Sequence, residues 1–188
     1  LAHAVPEGTW VYRQKKLRVM GSNAIRCSHR PFAPEFFGIC DSMGLYVMDE
    51  AVYEWNKGYG FNTENTSGKM KYGYHLYFNE WAERDLRSMI RNARNHPSVI
   101  MYSIGNEIPN QQVFDGALLA AKLQNICHDE DPTRLVTSAC DGVMYANENG
   151  LLDTLDMAGY NYMGRFTGDK RYAPEKEKYP NSSYLGTM

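Results

Sequence analysis

Short apolar runs alternate with amphipathic segments along this chain, and this rhythm is typical of βα units that build a parallel sheet. Six of the short runs predict strands, at residues 23–26, 45–49, 98–104, 134–138, 156–160 and 184–186. The run at 98–104 is the clearest, because consecutive apolar residues lead directly to Gly105. The pattern therefore predicts an α/β fold with a parallel sheet.

Between the strands, apolar residues recur at three- and four-residue steps, which predicts helices. The predicted helices cover residues 9–20, 34–43, 80–94, 112–128 and 171–178. Residues 51–79 show neither the helical nor the strand period and are rich in Gly, Asn, Lys and Tyr. A loop this long inside a domain is usually functional or disordered. No linker or charge run divides the chain, so the sequence predicts one domain.

The composition is that of a globular protein with a sizeable core, because 43% of the 188 residues are hydrophobic and 22% are charged. The formal net charge is −2 and the basic residues are dispersed, so we expect no nucleic-acid partner. No apolar run approaches the roughly 18 to 20 residues that cross a bilayer, so we expect no membrane partner.

The cysteines and histidines predict neither a metal site nor a cofactor. The four cysteines form no CxxC pair, and no histidine cluster has ligand spacing. Each cysteine lies among apolar residues and is predicted to be a buried thiol. The absence of disulfide spacing is compatible with the cytoplasm and also with a bacterial periplasmic or secreted location.

Parallel βα folds collect their reactive groups at the carboxyl ends of the strands. Glu107 is the strongest candidate there, because it follows a buried strand and Gly105. Partial desolvation would raise the pKa of its carboxyl group, which suits a general acid near neutral pH. The alternative is that Glu107 caps the following helix, whose first turn favours a negative charge.

Other polar residues follow the remaining strands, and each has two interpretations. Arg26 either anchors Glu107 or pairs with Asp49 as a structural bridge. His29 is either a hydrogen-bond donor in a pocket or a core histidine. Asp49 and Glu50 are either a pocket acid pair or part of a structural salt bridge. The triplet Tyr160-Asn161-Tyr162 either hydrogen-bonds a catalytic carboxylate or packs under a loop.

Three motifs, taken in order, resemble the catalytic domain of glycoside hydrolase family 2, which includes β-galactosidases, β-glucuronidases and β-mannosidases. The motifs are GSNAIRCSH at residues 21–29, CDSMGLYVMDE at 40–50, and NHPSVI followed by SIGNE at 95–107. The resemblance implies a partial (β/α)8 TIM barrel with strands two to seven in residues 1–188. It also implies that strand one, strand eight and the upstream β-sandwich domains are absent from this chain.

The family resemblance assigns a role to each candidate residue. Glu107, at the end of strand four, is the acid/base. Asn106 donates to the 2-hydroxyl of the sugar, and Tyr160 lies close to the nucleophile. The remaining predicted substrate-binding residues are Arg26, His29, Asp49 and Trp55. The nucleophile is expected at or just after Met188, where the chain reads Gly-Thr-Met instead of the Gly-Ser/Thr-Glu of the family.

The implied activity is hydrolysis of terminal β-glycosidic bonds, above all of β-galactosides, by a retaining mechanism that needs two carboxyl groups. The chain by itself is then expected to be inactive, and its parent to bind a carbohydrate substrate; dimers or tetramers are common among such enzymes. The alternatives are a sugar-binding pseudoenzyme, a β-glucuronidase or β-mannosidase of the same family, and a barrel with other chemistry. A metal-dependent sugar isomerase is disfavoured because the five histidines lie on unrelated elements.

Overall fold

A computed structural model describes residues 5–58 and 72–162 of the chain, together with the backbone of residues 184–187. In these residues six strands form a single sheet in the order of the sequence, and every neighbouring pair is parallel. The strands are β1 (Ala24–Arg26), β2 (Tyr46–Glu50), β3 (Val99–Asn106), β4 (Leu135–Cys140), β5 (Ala158–Asn161) and β6 (Tyr184–Thr187). This topology confirms the predicted part of a βα barrel.

Helices connect β1 to β2, β2 to β3, β3 to β4 and β4 to β5, as is usual for parallel strands. The described helices are α1 (Glu7–Val19), α2 (Pro34–Met43), α3 (Phe78–Ala93), α4 (Gly116–Glu130) and α5 (Val143–Glu148). Three short 3₁₀ turns lie between them, at Tyr74–Leu76, Pro109–Gln112 and Leu152–Thr154. None of the helices in the described ranges is long and apolar enough to cross a membrane.

The local sequence explains the bounds of α2 and α3. Proline occupies the first turn of α2, where a missing N–H costs nothing, and Gly44 ends the helix in the left-handed conformation with a φ of 63°. The apolar residues of α3 lie on one face, which is buried against the sheet; they are Phe78, Leu86, Met89, Ile90 and Ala93. The helical period in the sequence therefore predicted the buried face correctly.

The core lies between the sheet and the helices. Seven of the eight residues of β3 are buried, which is typical of a central parallel strand that is covered on both faces. Tyr102 and Ile104 on β3 belong to the same core cluster as Leu86 on α3 and Leu123 on α4. This packing holds the carboxyl ends of β2, β3 and β4 at one edge of the sheet.

The structure differs from the predicted helices in two places, and one further predicted helix lies outside the described residues. The single helix predicted over 112–128 is a 3₁₀ turn at Pro109–Gln112 followed by α4, because Gly116 fits closely against the carbonyl oxygen of Asn110. The short helix α5 was missed, since a six-residue helix shows less than two periods of apolar spacing. The helix predicted at 171–178 lies outside the described residues.

Candidate functional site

The carboxyl ends of four strands at one edge of the sheet, β1, β2, β3 and β5, bring their polar side chains into one connected network. Arg26 ends β1, Glu50 ends β2, Asn106 ends β3 and Asn161 ends β5, while Glu107 follows β3 directly. Side-chain hydrogen bonds join all five residues. The prediction that reactive groups meet at this edge of the sheet therefore agrees with the geometry.

A buried ion pair forms the centre of the network. The Nε and Nη2 atoms of Arg26 donate to Oε2 of Glu50 at 2.9 and 2.7 Å. The side chain of Glu50 is 0% exposed and that of Arg26 is 15% exposed. Since a charge in such a place must be paired, Arg26 and Glu50 depend on each other.

Two further side chains complete the surroundings of Glu50. Nδ1 of His29 lies 2.7 Å from Oε1 of Glu50, and the hydroxyl of Ser103 donates to Oε2 at 2.8 Å. The ring of His29 is 43% exposed, so it connects the buried carboxylate with the open face of the sheet. Both oxygens of Glu50 thus have partners, as a buried carboxylate requires.

Two asparagines carry the network from the ion pair to Glu107. Oδ1 of Asn106 accepts from Nη2 of Arg26 at 2.7 Å and from Nδ2 of Asn161 at 3.0 Å. Nδ2 of Asn161 also donates to Oε1 of Glu107 at 2.9 Å. Of the triplet Tyr160-Asn161-Tyr162, Asn161 is therefore the residue that hydrogen-bonds the candidate acid/base.

Glu107 occupies an unusual backbone conformation at the end of β3. Its φ is 48°, in the left-handed region that few residues other than glycine adopt, and its N–H donates to the carbonyl oxygen of Ala139 on β4 at 2.7 Å. Such a conformation persists where the surroundings enforce it, and it is frequent at functional sites. Glu107 is half-buried.

The alternative role of Glu107 as a helix cap does not match the structure. The element that follows is the 3₁₀ turn Pro109–Gln112, which Ile108 precedes without any side-chain cap, and the cap position of α4 is occupied by Asp115. In the described structure the Glu107 carboxylate accepts from Asn161 instead. Glu107 is therefore oriented by the polar network and does not cap a helix.

The partner of Arg26 is neither of the two that the sequence suggested. Arg26 pairs with Glu50, not with Asp49 or Glu107. Successive residues of a strand point to opposite faces, so only one of the two adjacent acids can reach the network. Asp49 is fully buried, and burial raises its pKa to about 7. Its Oδ2 atom has no hydrogen-bond partner among the described residues.

Trp55 and Tyr160 lie deeper than the family resemblance implied. Trp55 is completely buried, donates from Nε1 to the carbonyl oxygen of Ile104 at 2.8 Å, and packs beside the ring of Phe78. As described, its indole supports the end of β3 and does not reach the open face. Tyr160 is 1% exposed and lies next to Asn161. The contact of Tyr160 with a nucleophile stays a prediction.

Sequence reasoning did not select three residues of the network as site residues: Glu50, Ser103 and Asn161. A signal existed for two of them, since Glu50 and Asn161 each directly follow a predicted strand and lie beside a residue that was chosen. Each of them has an adjacent residue that was chosen instead, Asp49 or Tyr160. Which residue of a pair enters the network depends on the face of the strand that its side chain occupies and on the register of the sheet. Ser103 gave no signal, because a serine inside an apolar strand is common.

A mostly apolar cavity of about 390 Å³ lies beside the network, and His29 is part of its wall. Its other walls come from the segment after β2 and from α3, including Val52, Tyr53, Phe78 and Met89. Ile104 lines the cavity from the helix side of β3, so the wall of the sheet separates this space from Glu50. Within residues 5–58 and 72–162, no group of three metal-binding side chains comes together.

A parallel βα half-barrel with a carboxylate, an amide pair and a buried ion pair at the carboxyl ends of its strands defines an enzyme-type TIM-barrel site. The sequence matches the glycosyl hydrolases family 2, TIM barrel domain, over residues 3–171. The chain therefore belongs to this family, as its motifs predicted.

Similar proteins include a β-galactosidase of Bacteroides ovatus, 38% identical over 177 residues, and a putative β-glucuronidase of Formosa agariphila, 35% identical over 136 residues. The alignments cover 78% and 70% of this chain but only 20% and 12% of those proteins. The chain thus spans a fifth or less of the length of these curated relatives.

Solved structures of the same family superpose on nearly the whole chain. A family 2 glycosyl hydrolase from Bacteroides cellulosilyticus is 30% identical with a TM-score of 0.80, and the match covers 96% of this chain and 22% of that one. A β-glucuronidase of Bacteroides uniformis is 28% identical with a TM-score of 0.78 and the same coverage. Relatives named for different sugars thus share this part of the barrel.

Proposed function

We propose that this chain is the part of a retaining β-glycosidase that carries the acid/base, and that Glu107 is that residue. The observation that carries the proposal is the hydrogen-bonded network that ends at Glu107. A half-buried carboxylate is held there in a left-handed backbone conformation and oriented by an amide donor. Membership of a family of glycosyl hydrolases supports the same role.

The mechanism requires a second carboxylate about 5 Å from the first. In the first step this nucleophile attacks the anomeric carbon while Glu107 gives its proton to the departing glycosidic oxygen. In the second step Glu107 takes a proton from water, which breaks the glycosyl ester and restores the nucleophile. Asn106, next to Glu107, is proposed to donate to the 2-hydroxyl of the sugar.

The sheet register supports a nucleophile directly after β6. Asn161 contacts Glu107, and in the parallel pair of β5 and β6 it is the register partner of Thr187. A residue that follows Thr187 would therefore lie at the same edge of the sheet as Glu107. The residue at position 188 is methionine and lies outside the described residues, so we propose that the chain by itself does not hydrolyse glycosides.

The proposed substrate class is terminal β-galactosides. The β-galactosidase of Bacteroides ovatus, at 38% identity over 78% of the chain, supports this choice. β-Glucuronides are the second candidate, because relatives with that name match the same segment. If methionine occupies the nucleophile position in the complete protein, the alternative function is sugar binding without cleavage.

The first experiment measures hydrolysis of nitrophenyl β-galactoside, β-glucuronide and β-mannoside by the complete protein and by its E107Q variant. We expect the β-galactoside to be cleaved fastest and E107Q to lose about 10²–10⁴-fold in rate, which is typical when acid/base catalysis is removed. E148Q is the matched control, because Glu148 is an exposed glutamate on α5. Wild-type rates in E107Q would contradict the role of Glu107.

External azide tests the same role by product analysis. In a variant with alanine at position 107, azide can replace the water whose proton Glu107 would otherwise take. If Glu107 is the acid/base of a retaining enzyme, azide intercepts the glycosyl-enzyme and the product is the β-glycosyl azide, whereas loss of a nucleophile would give the α-anomer. Sugar binding by a complete protein that cleaves none of the three glycosides would instead support the pseudoenzyme.

A further inference from the structure

The hydrogen atoms of Arg26 determine the orientation of both asparagines in the network. A guanidinium has five N–H donors and no acceptor, so any side-chain atom that it hydrogen-bonds must be an acceptor. Its Nη2 lies 2.7 Å from one atom of the Asn106 amide, and its Nη1 lies 3.4 Å from one atom of the Asn161 amide. Both atoms must therefore be the amide oxygens, although oxygen and nitrogen are otherwise hard to distinguish.

With the amide oxygens fixed, the direction of the remaining hydrogen bonds follows. The amide nitrogen of Asn161 has two hydrogens, and it lies 3.0 Å from Oδ1 of Asn106 and 2.9 Å from Oε1 of Glu107. Both partners are acceptors, so each hydrogen of Asn161 has one defined recipient. Glu107 consequently receives a donated hydrogen at Oε1.

We propose that Asn161 is a positioning residue that assigns the catalytic proton of Glu107 to Oε2, with Arg26 and Glu50 fixing the direction of donation. The inference rests on the proposed role of Glu107 as acid/base. In a protonated carboxyl group the oxygen without the proton is the better hydrogen-bond acceptor, so donation from Asn161 to Oε1 favours the proton on Oε2. Under the proposed role of Glu107, Oε2 is then the oxygen that protonates the leaving group.

The backbone supports a fixed orientation of the Asn106 and Asn161 amides. Each asparagine precedes a residue in the left-handed conformation, Glu107 with a φ of 48° and Tyr162 with a φ of 58°. Residues other than glycine seldom adopt this conformation, and here it occurs directly after both β3 and β5. Glu50, which is fully buried, holds the guanidinium that orients both amides. If the Asn161 amide were turned over, its NH₂ group would face the N–H donors of Arg26 and its oxygen would face the acceptors Oδ1 of Asn106 and Oε1 of Glu107, so this orientation is disfavoured.

The test compares two substrates of the complete protein that differ in their need for an acid. A dinitrophenyl β-glycoside has a leaving group that departs without a proton, whereas a methyl β-glycoside needs one. For N161D we expect kcat/KM on the methyl glycoside to fall about 10–100-fold, a fraction of the usual acid contribution. On the dinitrophenyl glycoside we expect a fall of less than about threefold.

The pH profile gives a second readout that a purely structural role would not change. Loss of the amide donor destabilises the carboxylate form of Glu107, and a new carboxylate at position 161 repels it. The alkaline limb of kcat/KM should therefore move to higher pH in N161D, and by a smaller amount in N161A. N161A also covers the case in which N161D does not fold.

The control is N149D, because Nδ2 of Asn149 also makes two hydrogen bonds, to the carbonyl oxygens of Gln111 and Val113. It should leave both the substrate ratio and the alkaline limb unchanged. Equal losses on both substrates in the Asn161 variants, or an unmoved limb, would overturn the inference. E107Q in the same assay separates the two proposals. If its kcat/KM does not fall more on the methyl glycoside than on the dinitrophenyl glycoside, the proposed role of Glu107 is wrong, and the inference about Asn161 that rests on it fails as well.

Discussion

Two networks in this molecule pair arginines with a carboxylate, and they differ in how far their side chains are exposed to water. Arg26 and Glu50 meet inside the sheet, with side chains that are 15% and 0% exposed. On the outer helices Arg87, Arg91 and Arg94 surround Glu130; the arginine side chains are 26%, 59% and 41% exposed, although that of Glu130 itself is only 8% exposed. The same kind of ion pair therefore lies once in a dry interior and once at the surface.

Solvent determines what each network contributes. Around Glu130, hydrogen bonds from Arg91 and then Arg87 lower the pKa of the carboxyl to about 2. Its arginines remain hydrated, however, so water and salt screen the attraction. Glu50 and Arg26 have given up hydration and need each other to compensate. The surface network ties α3 to α4, whereas the buried one fixes the atoms beside Glu107.

The largest effect should come from breaking the buried pair. In E50Q the guanidinium of Arg26 stays buried without its counter-charge, and we expect a loss of about 3–5 kcal/mol in the free energy of unfolding. Urea unfolding of the complete protein, followed by tryptophan fluorescence, measures the loss. Activity should fall together with stability, because Asn106 and Asn161 lose their fixed orientation.

E130Q is the matched control for this comparison, since it makes the same change at the surface network. It should destabilise the protein much less than E50Q, and the difference from wild type should shrink as salt is added. The contrast between the networks would be refuted by equal losses in the two variants at moderate ionic strength.

The next effect concerns Asp49, the neighbour of Glu50 that lacks a counter-charge. Its pKa is raised by burial to about 7, while an unfolded chain ionises Asp near about 3.9. As the pH rises between these values, the unfolded state loses its proton first, so the protein loses stability. Above the folded pKa the penalty is constant, on the order of a few kcal/mol.

D49N should remove this penalty. We expect its melting temperature to exceed that of the wild type more at pH 7.5 than at pH 4.5, measured by calorimetry at about these two values. D153N, an exposed aspartate, serves as the control and should show no such pH-dependent gain. An equal difference between D49N and wild type at both pH values would contradict burial of an uncompensated acid.

The smallest expected effect tests how tightly the strand end that carries Glu107 is packed. A Cβ at Gly105 would lie 2.7 Å from Cγ2 of Ile108 and 2.9 Å from Nε1 of Trp55. G105A should therefore cost about 1–3 kcal/mol through overpacking. At Gly38, exposed on α2, a Cβ meets nothing within 4 Å, so G38A should stabilise by about 0.4–1 kcal/mol. Thermal melts that give both variants the same sign would contradict this difference in packing.

Much of the fold could be predicted because its signals are local. The apolar period of α3 and the continuous apolar run of β3 each depend on neighbours within one or two turns. The helix α5 and the break before α4 could not be predicted in this way. Their bounds depend on contacts with other elements, such as the close approach of Gly116 to Asn110.

The sequence predicted which strand ends carry the candidate site, but it did not predict which side chains hydrogen-bond to one another there. Glu107, Asn106, Arg26 and His29, which the sequence proposed as site residues, belong to one hydrogen-bonded network at one edge of the sheet. Asp49 was preferred to Glu50, and Tyr160 to Asn161, because adjacent residues look equivalent in a sequence. In the sheet they point to opposite faces, and the register decides which one enters the network.

The sequence by itself determined the family, the order of the strands and the edge at which polar groups meet, since apolar periods and motifs are properties of neighbouring residues. The tertiary structure alone decided that Arg26 pairs with Glu50, that Trp55 is buried, and that Asn161 donates to Glu107. The two hydrogen-bonded contacts join residues that are 24 and 54 positions apart in the chain. Their geometry follows from the register of parallel strands, which no single segment encodes.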